Sequence, residues 1–108
     1  WAQDEVALIE QPSAPVLFLT SASSDITTLD TALSLKENSY WTNRIRAIDL
    51  KEFQHPAQID HYIATTAEKA SLIIVRLIGD KSHWNYGLEQ LRQWKNVKDN
   101  RNFIIINE

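Results

Sequence analysis

The segment Gly79 to Gly87, reading GDKSHWNYG, gathers the side chains best suited to holding a ligand. A glycine directly after an apolar run lets the backbone turn with positive φ. Trp84 and Tyr86 offer flat faces for stacking, while Asp80, Lys81, Ser82 and His83 offer charge and hydrogen bonds. A plainer reading is a strand-to-helix connection whose Trp84 packs on the sheet. Spacing places Trp84 on one helical face with Leu88 and Leu91, so core packing suits it, whereas Tyr86 points elsewhere and is the better ligand candidate. Arg76 interrupts the preceding apolar run, where a charge is costly unless it is paired or near the strand end. It is expected to meet Asp49 or Asp25, or else an anionic ligand.

A second polar segment, Thr20-Ser21-Ala22-Ser23-Ser24-Asp25, precedes a helical pattern. Free N–H groups at a helix start can hold a phosphate or carboxylate, which makes Ser21 and Asp25 candidates. The plainer and favoured reading is a helix cap with a solvated turn, with Ser24 or Asp25 supplying the oxygen. Its polarity resembles flavodoxin-type phosphate loops but it lacks their glycine, which counts against an independent nucleotide- or flavin-binding domain. Receiver-type phosphotransfer is excluded, because Thr20-Ser21 stand where acidic residues are needed. No two of His55, His61 and His83 have the i, i+4 spacing of a helical metal pair, so no protein-built metal site is expected. No cysteine is present, which removes disulfides and thiolate chemistry. No nucleophile–base pairing is readable either, and no catalytic residue is assigned.

These segments need a frame. Val16–Leu19, Ile45–Ile48, Leu72–Ile78 and Phe103–Ile106 are short apolar runs that suit strands covered on both faces. Between them lie helical patterns. One carries Ile26, Leu29 and Leu33 and ends at Glu37–Ser39. A second opens at His55-Pro56 and carries Ile59, Tyr62, Ile63, Thr66, Ala67 and Ala70. The third carries Trp84, Gly87, Leu88, Leu91 and Trp94, with Lys95 and Lys98 in its last turn. Val6–Ile9 is either a short strand or a packed lead-in. Alternation of strand and helix predicts an α/β, three-layer, flavodoxin-like doubly wound parallel sheet of at least four strands, order 2-1-3-4. In that order the winding reverses between the first and third strands, and ligands favour the carboxyl ends there. Phe103–Ile106 would form an apolar edge, which invites pairing with another chain.

Bulk properties agree with one domain over residues 1–108. A hydrophobic fraction of 44% with 23% charged residues is ordinary for a globular protein. A net charge of −3 argues against a nucleic-acid partner, and no run is long enough for a membrane span. The absence of methionine, and an apolar run close to Glu108, suggest a domain cut from a longer protein. A cytoplasmic setting fits the lack of cysteine.

Gln11-Pro12 to Pro15, VLFLTSASSDI (Val16–Ile26), FQHPAQIDHYI (Phe53–Ile63) and IIVRLIGDKSHWNYGLEQL (Ile73–Leu91) together resemble the amino-terminal region of the cobaltochelatase large subunit (CobN). The magnesium chelatase large subunit is the wider relative, and a domain of that protein is the alternative. The resemblance implies a large cytoplasmic parent that inserts cobalt into a corrin ring, hydrogenobyrinic acid a,c-diamide, in cobalamin biosynthesis. The parent would be a ligase forming nitrogen–metal bonds, with cobalt, ATP and magnesium in its reaction and AAA+ ATPase subunits as partners. Within it, this domain would be inactive by itself and need no cofactor. It would help enclose the tetrapyrrole or dock against other domains of the parent. Matching the family's recurrent words, His55, Arg76, Gly79, Trp84, Tyr86 and Gly87 are the implied macrocycle contacts.

Overall fold

The computed structural model describes residues 6–79 and 84–108. Its four strands are β1 (Val16–Thr20), β2 (Ile45–Asp49), β3 (Leu72–Leu77) and β4 (Asn102–Asn107), in the order β2-β1-β3-β4. All pairs are parallel, as expected for strands joined through helices. The helices are α1 (Ser23–Ser34), α2 (Pro56–Ala64) and α3 (Asn85–Val97). Thr20 pairs with both Asp49 and Arg76, and Arg76 with Ile106, so the strands' carboxyl ends lie level along one rim. The predicted α/β architecture and strand order are therefore observed.

Alternation along the strands divides the sheet's two faces. Leu17, Leu19, Ile73, Val75 and Leu77 are buried in one core with Ile59 and Tyr62 of α2 and Leu88, Leu91 and Trp94 of α3. Burying a large apolar side chain of this kind stabilises by about 1.5–3 kcal/mol. The opposite face meets α1, which packs on β1 and β2 and has no fully buried residue. Beyond the reach of α1, Ile104 and Ile106 are 46% and 41% exposed.

The expected helix limits shift at two places. α1 ends at Ser34, and a 3-10 turn over Lys36–Trp41 follows, because the Asn38 side chain donates to Ala32 O (2.8 Å) and ends the ladder. α2 ends at Ala64, before the expected Thr66, Ala67 and Ala70. Those residues are still buried, but their partners are tertiary: the Thr66 hydroxyl donates to Gln11 O (2.7 Å) and Trp94 Nε1 donates to Ala67 O (2.8 Å). Val6–Ile9 is not a strand but a packed lead-in, with Ile9 against the core and Ala7 O accepting from Gln58 (2.8 Å). Gln11 fastens this lead-in to the domain. Its amide donates to Ala47 O of β2 (3.0 Å) and its carbonyl oxygen accepts from the Tyr62 hydroxyl (2.8 Å).

Candidate functional site

At the carboxyl rim, the ends of β1 and β3 are joined by the Ser21 N–H donating to Arg76 O (3.0 Å). The Ser21 hydroxyl also accepts from the Ile78 N–H (2.9 Å), which explains why Ile78 leaves the strand. Ser21 then forms one wall of a cleft of about 270 Å³ with Leu50, Lys51, Phe53, Leu77, Ile78 and Trp84. This is the switch point between β1 and β3 anticipated from the strand order. Of the candidates among the described residues, only Ser21 and Trp84 line it. Leu50, Lys51 and Phe53 were missed because they come from the turn after β2, which carries no ligand-like pattern.

Behind that cleft the charged groups satisfy one another. The Thr20 hydroxyl donates to Asp25 Oδ2 (2.7 Å), and Arg76 Nη1 donates to the same oxygen (2.6 Å). Arg76 Nε and Nη2 grip Glu108 Oε2 at 2.7 and 2.5 Å. The hydrogen bond from Thr20 and then the Arg76 guanidinium hold the Asp25 carboxyl below its ordinary 3.8. Asp25 in turn, and then Glu108, push the Arg76 pKa up. One cation thus faces two carboxylates at the start of α1, so the place where a helix could attract an anion already holds the chain's own negative charge. The expected Arg76–Asp25 pair is present, and Asp49 instead accepts from the Lys51 N–H (2.9 Å).

Capping by Ser24 or Asp25 is not observed. The N-cap of α1 is Ala22, with no side-chain cap, and Asp25 lies inside the first turn, where its carboxylate turns to Thr20 and Arg76. The Thr20 hydroxyl accepts from the Ala22 N–H (3.1 Å), so a residue at the end of β1 closes the turn instead.

The remaining candidates are dispersed. His55 caps α2, its Nδ1 accepting from the Ala57 N–H (3.1 Å), while Gln58 Oε1 accepts from the His55 N–H (3.0 Å). That reciprocal arrangement is a capping box, with Pro56 in the first turn. Gly79 has φ +84°, the conformation that favours glycine, and its N–H donates to Glu108 O (2.9 Å). Tyr86 is 42% exposed, as expected of a residue off the core face, and its hydroxyl donates to Asp60 (2.7 Å), which pushes its pKa up. Trp84 is buried and tilted against Phe53, with ring centroids 6.0 Å apart. A Cβ added at Gly87 would lie 2.5 Å from the Trp84 ring, so Gly87 is the space into which that ring folds. Asp80, Lys81, Ser82 and His83 lie outside the described residues. Among the described residues no three His, Asp or Glu side chains converge to hold a metal ion, and no helix is long and apolar enough to cross a membrane.

A volume of about 270 Å³ falls just below the ~300–1,000 Å³ of sites that enclose drug-sized ligands. The cleft admits a side chain or the edge of a larger ligand, and Ser21 and Lys51 are the polar residues among the described ones that line it.

Comparison with known proteins gives one relative to set beside this geometry. The chain is 31% identical over 88 residues, or 82% of its length, to the aerobic cobaltochelatase subunit CobN of Sinorhizobium sp. It spans about 7% of that protein. The resemblance read from the sequence words is thus present across most of the chain. No family model matches the chain, and no solved structure does.

Proposed function

We propose, taking this likeness to CobN as the premise, that the chain is an amino-terminal domain of a cobaltochelatase large subunit. The parent protein would insert cobalt into a corrin ring, hydrogenobyrinic acid a,c-diamide, driven by AAA+ ATPase partner subunits. In that assembly the domain is a non-catalytic docking module in a cytoplasmic enzyme. The observation that carries the family assignment is the 31% identity over 82% of the chain. Docking, rather than enclosure of the macrocycle, is supported by the rim: Arg76, Asp25 and Thr20 are engaged with one another or Glu108, His55 and Gly87 have local structural partners, and the cleft is small. A flavin or nucleotide reading has no support, since the first turn of α1 presents the Asp25 carboxylate where a phosphate would bind.

A graft tests the assignment. Deleting the matching segment from the Sinorhizobium subunit should abolish ATP-dependent cobalt insertion, and this chain in its place should restore a measurable part. Equal inactivity of a soluble graft and the deletion would sink the family role. Titration of the isolated chain with hydrogenobyrinic acid a,c-diamide separates docking from enclosure. No saturable tryptophan quenching is expected; saturable quenching lost in Arg76→Ala and Tyr86→Ala would replace docking by a macrocycle site.

A further inference from the structure

Arg46 lies inside β2, half-buried, and its Nε is shielded from solvent with no hydrogen-bond partner. It belongs to no ion pair among the described residues, whereas Arg76 and Arg101 each reach a carboxylate. A partly desolvated cation without a counterion is costly, and an anion placed beside it gains more than it would in open water.

Arg46 lines a cleft of about 420 Å³ between α1 and β2, within the ~300–1,000 Å³ of sites that enclose small ligands. Leu29 and Leu33 of α1 and Ile45 and Ala47 of β2 give it an apolar lining. Asp30, Ser34 and Thr42 stand on the helix side. Asp30 is exposed and, like Arg46, is in no ion pair among the described residues. The Ser34 hydroxyl donates to Thr31 O (2.6 Å) and the Thr42 hydroxyl to Leu33 O (2.9 Å). Their protons are thus committed, and what the two oxygens still offer is lone pairs. The last turn of α1 carries no basic residue, so the negative end of its dipole adds to this side. Gln11 also lines the cleft but both ends of its amide are engaged, with Ala47 O and the Tyr62 hydroxyl.

We infer that this cleft binds a small zwitterion. Its ammonium is set against Asp30, Ser34 and Thr42, its carboxylate against Arg46, and its apolar body over Leu29, Leu33 and Ile45. A free apolar amino acid and a short apolar peptide share this chemistry. Asp30 and Arg46 do not pair with each other, which leaves space for a ligand between them. A simple anion would be repelled by Asp30, and a simple amine would leave Arg46 without a counterion. The site shares no residue with the rim cleft and requires nothing from the chelatase reading.

Titration of the ¹⁵N-labelled chain with L-leucyl-L-leucine, followed through the amide cross-peaks, tests this. Saturable shifts are expected at Asp30, Leu33, Ser34, Ile45 and Arg46, with Ser21 and Lys51 at the rim unmoved. Acetylating the amine of the dipeptide, or converting its carboxylate to an amide, should each weaken binding roughly tenfold or more, the loss of one charge-assisted contact. Arg46→Gln should bind the dipeptide and its carboxamide alike. Asp30→Asn, a change at an exposed position, should bind the dipeptide and its acetylated form alike. L-leucine binding as tightly as the dipeptide would support the site with a free amino acid as ligand, and binding of the dipeptide alone would support it with a peptide. No saturable shift with either would overturn the site. So would blocked forms that bind wild type as well as the dipeptide does, or a variant that still discriminates as wild type does.

Discussion

Ile105 and Ile106 are adjacent in β4, yet Ile105 packs against the core while Ile106 is 41% exposed. The two faces of the sheet repeat this contrast throughout. One is covered by α2, α3 and the lead-in, with Leu17, Ile73 and Val75 fully enclosed. The other carries α1, packed chiefly on β1 and β2. Apolar residues on both faces satisfy the pattern of a parallel sheet, but only the first face has the neighbours that convert pattern into stability. An apolar strand residue therefore reports that it can be buried, while the covering element decides whether it is.

The covered face should respond most strongly to change, and Gly87 is its sharpest test. Alanine there would gain helix propensity, yet its Cβ would meet the Trp84 ring at 2.5 Å. The ring is part of the core, so it cannot move without disturbing Phe53 beside it. Gly87→Ala is expected to cost about 1–3 kcal/mol of stability. Urea unfolding followed by tryptophan emission would measure it, with the native spectrum shifted red as Trp84 becomes wetter. An unchanged midpoint and spectrum would mean that Trp84 has room to move, and that the covered face is less closely packed than its burial implies.

Gly87 also shows what was legible in the sequence. The parallel sheet followed from the alternation of strand and helix, and the inward face of α3 from periodicity. The need of Arg76 for a partner followed from the cost of an unpaired charge, although the charge alone did not choose Asp25 over Asp49. The Trp84–Gly87 word drew the ligand reading because aromatic residues beside glycine suit both binding and close packing, and only the ring's position separates the two. Arg101 gave less warning. It is 2% exposed, donating to Trp94 O (2.9 Å) and Glu68 O (2.8 Å), with its guanidinium 4.7 Å from the Trp94 ring centroid. An arginine before an apolar run looks like a solvated flank until α3 and the turn after α2 each supply a carbonyl oxygen. Gln11 is hidden likewise, its partners being set by how the lead-in crosses β2 and α2.

Between the two faces stands the rim network, whose contribution depends on pH. Asp25 is held below its ordinary 3.8, first by Thr20 and then by Arg76. A carboxylate depressed in the folded state stabilises it fully above the unfolded value, and that contribution fades as pH falls through the lower folded value. Arg76→Ala removes one of the two causes. The variant should be less stable than wild type at pH 7, and the gap should narrow as pH falls below 3.8. Urea midpoints at both pH values measure it. A gap that stays constant would assign Arg76's contribution to packing of its alkyl stem rather than to Asp25 and Glu108.

The smallest stability change belongs to the open face. Ile104 is nearly half exposed, so Ile104→Thr removes little area from the core and keeps a β-branched residue in the strand. Surface changes of this type fall within about 0.5 kcal/mol. Thermal unfolding should barely distinguish the variant from wild type. A large loss would place Ile104 inside a packed environment and erase the difference between the faces.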